Sequence, residues 1–303
     1  MEQSAPGLSE ILRHFAFDLP WLALFVGLAA PYTAAWIRLA RTNPRVPHPR
    51  WKLLSWYAGI LCLYVGILSP VEHYGNQFLW VSFTSFLFIT MLAPPLLLWA
   101  SPITLAFRVL GPTGRTRLRN ATRTQAARLL TFLPIPWLLF AVVTYLWQFG
   151  TPADWAAESV WVRDLQQATL LMVALLFWFP ALGADPLRWR ANYPSRALYL
   201  LVEMTHKALF GAFFLSLNTP IHPGYAARLP AWGPSALEDQ VMAIVVLWLG
   251  GNLVFLAAVA GLATRWIRQD AADGRRIDRR LARAREDERL RQEALHRVFN
   301  RPI

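Results

Sequence analysis

Cysteine is almost absent from this 303-residue chain: Cys62 stands alone, inside an apolar block. A single thiol excludes an internal disulfide framework and any CxxC metal or redox motif, and leaves Cys62 as a small buried hydrophobe. Charge is also scarce, at 16% of residues, where an ordinary soluble domain carries about 25%. Of six histidines only His206 falls inside an apolar block. Haem held by paired histidines on facing helices therefore has little support. Enzyme signatures are missing as well: there is no GxSxG, no HExxH, no glycine-rich phosphate loop and no histidine pair at i, i+4. The chain reads as a non-enzyme. No basic n-region precedes the first apolar block, where Glu2, Glu10, Arg13 and Asp18 stand instead, so a cleavable signal peptide is not expected.

What the chain has instead is apolar length. Hydrophobic residues make up 55% of it and the mean hydropathy is +0.32. They fall in solid blocks at residues 19–40, 53–68, 78–100, 131–150, 159–182, 197–217 and 240–266. A helix crosses the hydrocarbon layer in about 20 residues. In lipid every backbone group must be satisfied internally, and unbroken apolar blocks exclude the alternating pattern of a barrel. The expected fold is all-α and polytopic, with seven transmembrane helices. The third block holds no formal charge, carries Ser82, Thr84 and Ser85 in its first turns, and places Pro94-Pro95 near its end.

The net charge of +12 is unevenly placed. Arg38, Arg41, Arg45, Arg50 and Lys52 lie between blocks 1 and 2, Arg108, Arg115, Arg117, Arg119, Arg123 and Arg128 between blocks 3 and 4, and Arg188, Arg190 and Arg196 between blocks 5 and 6. Twelve more arginines follow from Arg265 on. The alternate connections hold almost none. By the positive-inside rule the N-terminus is outside and the C-terminus cytoplasmic. The basic excess then reads as a topology signal with attraction to anionic membrane lipid, and nucleic acid is not an expected partner. Residues 1–266 form the expected membrane domain and 267–303 a charged cytoplasmic helical tail. Residues 115–130 are expected to be a helix on the cytoplasmic surface, and the proline-rich connection 219–239 a structured external loop.

Polar residues inside spanning helices are expensive and each is a functional candidate. The orientation brings Ser82, Gln148, Asp164, Gln167, Asp239 and Gln240 from four helices to one level near the external face. The sixth block carries Glu203, His206 and Lys207 near its middle. The spacings of three and four put them on one helix face. Two readings stay open: mutual neutralisation of a buried pair, or a Glu-x-x-His metal or proton-relay pair. His73 and His222 lie in external connections and read as surface residues.

The frame Ser69-Pro70 with TMLAPPLLLWASP over residues 90–102, the LLFWFP run at 175–180, His206, and Asp239-Gln240 followed by Trp248 and Gly250-Gly251 together resemble the seven-helix CtaG-like cytochrome c oxidase assembly factors. The resemblance covers nearly the whole chain. It implies a bacterial plasma-membrane protein that assists maturation of a haem–copper oxidase, with copper as the implied cofactor and His206 as the metal residue. The family's helix-3 histidine pair reads Ser82 and Phe86 here, its Trp-His reads Trp147-Gln148, and its helix-5 pair reads Arg163 and Gln167. Ser and Gln are poor copper ligands, Phe86 cannot ligate, and Arg163 repels a cation. The alternative is a structural accessory subunit of a respiratory complex that has lost the metal site, with Arg163 paired to Asp164 or Asp239. A transporter or proton conduit using Glu203, His206 and Lys207 is a third reading.

Overall fold

The computed structural model describes residues 18–43, 47–148, 151–185 and 190–299, with Gly7 and Phe15. It forms two units, Met1–Ala258 and Val259–Ile303. Among the described residues all regular structure is helical. Among the described residues six helices are long and apolar enough to span a membrane, or seven where one bent pair counts as a single span.

Helix α1 (Leu19–Thr42) is capped by Asp18, and α2 (Arg50–Leu68) ends where Ser69 caps the short α3 (Pro70–Gly75). The Ser69-Pro70 frame thus ends one helix and starts the next: the hydroxyl takes the Val71 N–H, and Pro70 sits where no N–H is needed. The third block is one continuous span in three parts: α4 (Leu79–Leu87), a π-turn (Phe88–Leu92) and α5 (Ala93–Trp99). Pro94 has no N–H to give to the carbonyl four residues back, at Thr90. The Trp178 indole N–H donates to that carbonyl instead, at 2.9 Å. This explains why a Pro-Pro pair and a tryptophan-bearing LLFWFP run occur together. At the far end Ser101 adopts a left-handed conformation (φ 54°) and starts α6 (Pro102–Val109).

The expected surface helix at 115–130 is two short helices, α7 (Pro112–Ala121) and α8 (Gln125–Thr131), neither with a buried residue. The chain then bends by 71° into α9 (Pro134–Gln148), so the fourth span starts later than expected. Its expected end at residue 150 lies outside the described residues. After α10 (Thr151–Glu158) come α11 (Val160–Leu182) and α12 (Tyr193–Leu215). The loop 219–239 is structured, as expected: it holds α13 (Pro223–Arg228), and Trp232 packs on Phe78 with ring centres 5.3 Å apart. A capping box of Ser235 and Glu238 starts α14 (Ala236–Val245), which passes through a second π-turn (Val246–Gly250) into α15 (Gly251–Phe299).

The central span is 67% buried, whereas α1 is 17% buried. The third block is therefore the core and the first is a peripheral helix. Gly59 lets α2 approach closely, since a Cβ there would lie 2.7 Å from Leu97 Cγ. Trp178 stacks on Phe255 at 5.0 Å, and Tyr32 on Trp56 at 4.4 Å. Large apolar side chains such as Leu54, Leu61 and Leu209 point outward, as lipid-facing positions should.

Candidate functional site

The arginine-poor end of the bundle opens into a cavity of about 70 Å³, room for about five waters. Ser82 of α4, Gln148 of α9 and Gln167 of α11 line it together, with Glu72 of α3 and Arg163 of α11. The expected convergence is real for these three. Among the described residues the Gln148 and Gln167 side chains form no hydrogen bond to the rest of the fold. His222 also lines the cavity, in place of its expected surface role, while His73 does not.

Arg163 pairs with Glu72, Nε to Oε1 at 2.8 Å. It does not pair with Asp164 or Asp239, because those two carboxylates are committed elsewhere. Asp164 accepts the Trp21 indole N–H at 2.8 Å. Asp239 accepts the backbone N–H groups of Leu79 (2.8 Å) and Trp80 (3.2 Å), and so caps α4. Gln240 accepts the Ile221 N–H at 2.9 Å and ties down the loop. Asp164, Asp239 and Gln240 thus hold helices in place and are not brought into the cavity. Burial pushes the Glu72 carboxyl above the usual carboxylate range; Arg163 opposes this, and Asp164 and Asp18 add to it. Burial likewise raises the Tyr225 phenol, against a hydrogen bond with Ser82.

Deeper in the bundle lies a second cavity of about 30 Å³. Phe86 and Gln148 line both. Glu203 is 1% exposed and Lys207 8%, with Nζ 3.7 Å from Oε1. The ammonium also sits 3.2 Å from Met91 Sδ and 4.9 Å from the centre of the Phe255 ring. Two buried charges survive only if each is compensated, and here the carboxylate and an aromatic face compensate the amine. His206 Nδ1 is 3.4 Å from Glu203 Oε2, and its Nε2 is hydrogen-bonded to the Tyr145 hydroxyl. Tyr145 and Trp137, whose ring centre lies 5.4 Å from that of His206, are neighbours that no local pattern announces. Both lie on a different helix, α9, with Tyr145 61 residues away in sequence.

These residues do not fit a copper ion. Among the described residues no three of His, Cys, Asp and Glu come together as a donor set. Glu203 and His206 supply two groups, Asp239 is occupied at the head of α4, and the Lys207 ammonium sits where a cation would have to approach. At the cavity nearer the bundle end, Arg163 fills the corresponding place with a positive charge.

The family described as cytochrome c oxidase caa3 assembly factor matches residues 30–269. An uncharacterized protein of Mycobacterium bovis and one of Mycobacterium tuberculosis are each 29% identical over 283 residues, covering 90% of this chain and 42% of theirs. One of Mycobacterium leprae is 25% identical over the same span. The chain therefore spans less than half the length of these relatives. No solved structure matches it.

Proposed function

This chain belongs to the cytochrome c oxidase caa3 assembly factor family, and we propose that it assists maturation of a haem–copper oxidase through contacts between membrane helices, without a resident copper ion. The family match over residues 30–269 carries the first half of this reading. The ion pair of Glu72 and Arg163, standing in a polar cavity, supports the second. A guanidinium in the cavity opposes the cation that a delivery role requires, and Ser82, Gln148 and Gln167 offer amide and hydroxyl groups suited to protein or water. We place the arginine-rich end in the cytoplasm of a bacterial plasma membrane, on the distribution of arginine among the connections. The cavity then faces outward, with the N-terminus.

The test combines complementation with metal analysis. In a bacterium lacking its own copy, oxidase activity falls and is restored by the wild-type chain and by His206→Ala. The purified full chain carries far less than one copper per molecule. Stoichiometric copper that disappears in His206→Ala would overturn the metal-free reading. Stoichiometric co-purification with mature oxidase would favour a permanent accessory subunit over an assembly factor.

A further inference from the structure

A groove at the arginine-rich end carries two guanidinium groups that, among the described residues, pair with no carboxylate. Its floor is apolar: Leu39, buried, at the end of α1, and Phe107, half-buried, in α6. Its rim is polar and exposed: Asn43, Arg108 and Arg115. The volume is about 230 Å³. Arg115 Nη2 donates to the Arg108 carbonyl at 3.1 Å, which fixes one guanidinium beside the backbone that carries the other. Among the described residues neither guanidinium forms an ion pair. The carboxylate in the adjoining connection, Asp185, is consumed by α6. It accepts the N–H groups of Ile103 and Thr104 and the Thr104 hydroxyl. Two cations over an apolar floor, at the end of spanning helices, match a molecule with a negative head and an apolar body.

We propose that this groove binds the phosphate of an anionic phospholipid, with an acyl chain against Leu39 and Phe107. The forked guanidinium groups take the phosphate oxygens, Asn43 adds an amide donor, and the apolar floor separates a lipid from a free ion. The site is distinct from the cavity at the opposite end and does not depend on the oxidase reading.

The test is titration of labelled phosphatidylglycerol onto the delipidated full chain in a neutral detergent, with phosphatidylcholine and inorganic phosphate as competitors. Phosphatidylglycerol should bind at least tenfold more tightly than phosphatidylcholine, a contrast set by the net lipid charge, and millimolar phosphate should not displace it. The Arg108→Gln/Arg115→Gln variant should lose about 30-fold, the effect of removing two basic residues from an anionic lipid surface. The Arg117→Gln/Arg119→Gln variant removes equal charge outside the groove and should change binding less than about twofold. If the first variant does not fold, Asn43→Asp serves, since a carboxylate on the rim should weaken binding by about fivefold. Equal loss in both arginine variants, equal binding of the two lipids, or complete displacement by phosphate would each overturn the proposal.

Discussion

The two ends of the central span both bury polar side chains, yet to different purposes. At the arginine-rich end, among the described residues, these side chains bond to the break in the span, although His48 Nδ1 is left without a hydrogen bond. The Tyr32 hydroxyl donates to the Ala100 carbonyl, His48 Nε2 lies 3.0 Å from the same oxygen, and Lys52 donates to the Ser101 hydroxyl at 2.8 Å. Asp185 caps α6. These contacts satisfy the carbonyls and N–H groups released where the span breaks at Ser101. At the other end Asp239 does the same for α4, but Ser82, Gln148 and Gln167 line open space around an ion pair. A buried polar residue is therefore a poor guide to a site by itself. What distinguishes the two ends is whether the backbone consumes the polar group.

The comparison breaks first at its boundary, the Glu203–Lys207 pair. Glu203→Ala leaves the ammonium buried alone and should cost about 3–5 kcal/mol, read as a loss of thermal stability in detergent. Adding Lys207→Met should restore most of it, because an apolar replacement removes the stranded charge. Recovery without the second change would mean that water reaches the amine.

The caps come next. Asp185→Ala and Asp239→Ala each strand buried N–H groups and should each cost about 2–3 kcal/mol. If Asp239 serves only the fold, oxidase maturation falls in proportion to folded protein; a further loss at equal protein level would return Asp239 to the candidate site.

Acid should move the two ends in opposite directions. Burial holds the His48 imidazole below its ordinary value, with the Ala100 carbonyl opposing and Lys52 and Arg108 adding to the fall. Its contribution is present above the unfolded histidine range of about 6.5 and is lost as pH falls through the lowered folded value. Glu72 is raised, so its contribution is full below the unfolded carboxylate value and is lost as pH rises through the higher folded one. Melting curves between about pH 7 and 5 should show a weaker acid loss in His48→Gln and a stronger one in Glu72→Gln. Parallel curves for both variants would erase the contrast.

The smallest structural effect should lie in the cavity lining. Gln148→Leu and Gln167→Leu should change stability by less than about 1 kcal/mol, since no fold hydrogen bond is lost, while oxidase maturation drops. Stability loss above that would make them structural like the other end.

Much of the fold was legible because hydrocarbon imposes a simple rule on composition. Among the described residues each apolar block is mainly helical, and the order of basic connections set the two ends apart. Boundaries shifted where local chemistry intervened: α12 begins at Tyr193, where Asn192 caps it, and α14 begins at Ala236 behind its capping box. Pro94-Pro95 was visible near the end of the third block, but neither the π-turn before it nor the indole that satisfies Thr90 was. The candidate site was half legible. Ser82, Gln148 and Gln167 converge because topology places them at one depth. The partner of Arg163 was missed because a depth argument ranks carboxylates by level and says nothing about which one a cap has already taken.

The sequence by itself determined that this is a helical membrane protein, roughly where its apolar spans lie, and which ends share one charge. Those properties follow from transfer free energies and residue spacing, which are local. Only the tertiary structure decided the pairings: Glu72 with Arg163, Asp239 with the head of α4 across 160 residues, and Tyr145 with His206 across 61. Each is a choice among several chemically adequate partners, and that choice is made by helix packing and by which backbone groups the breaks in the spans leave unsatisfied.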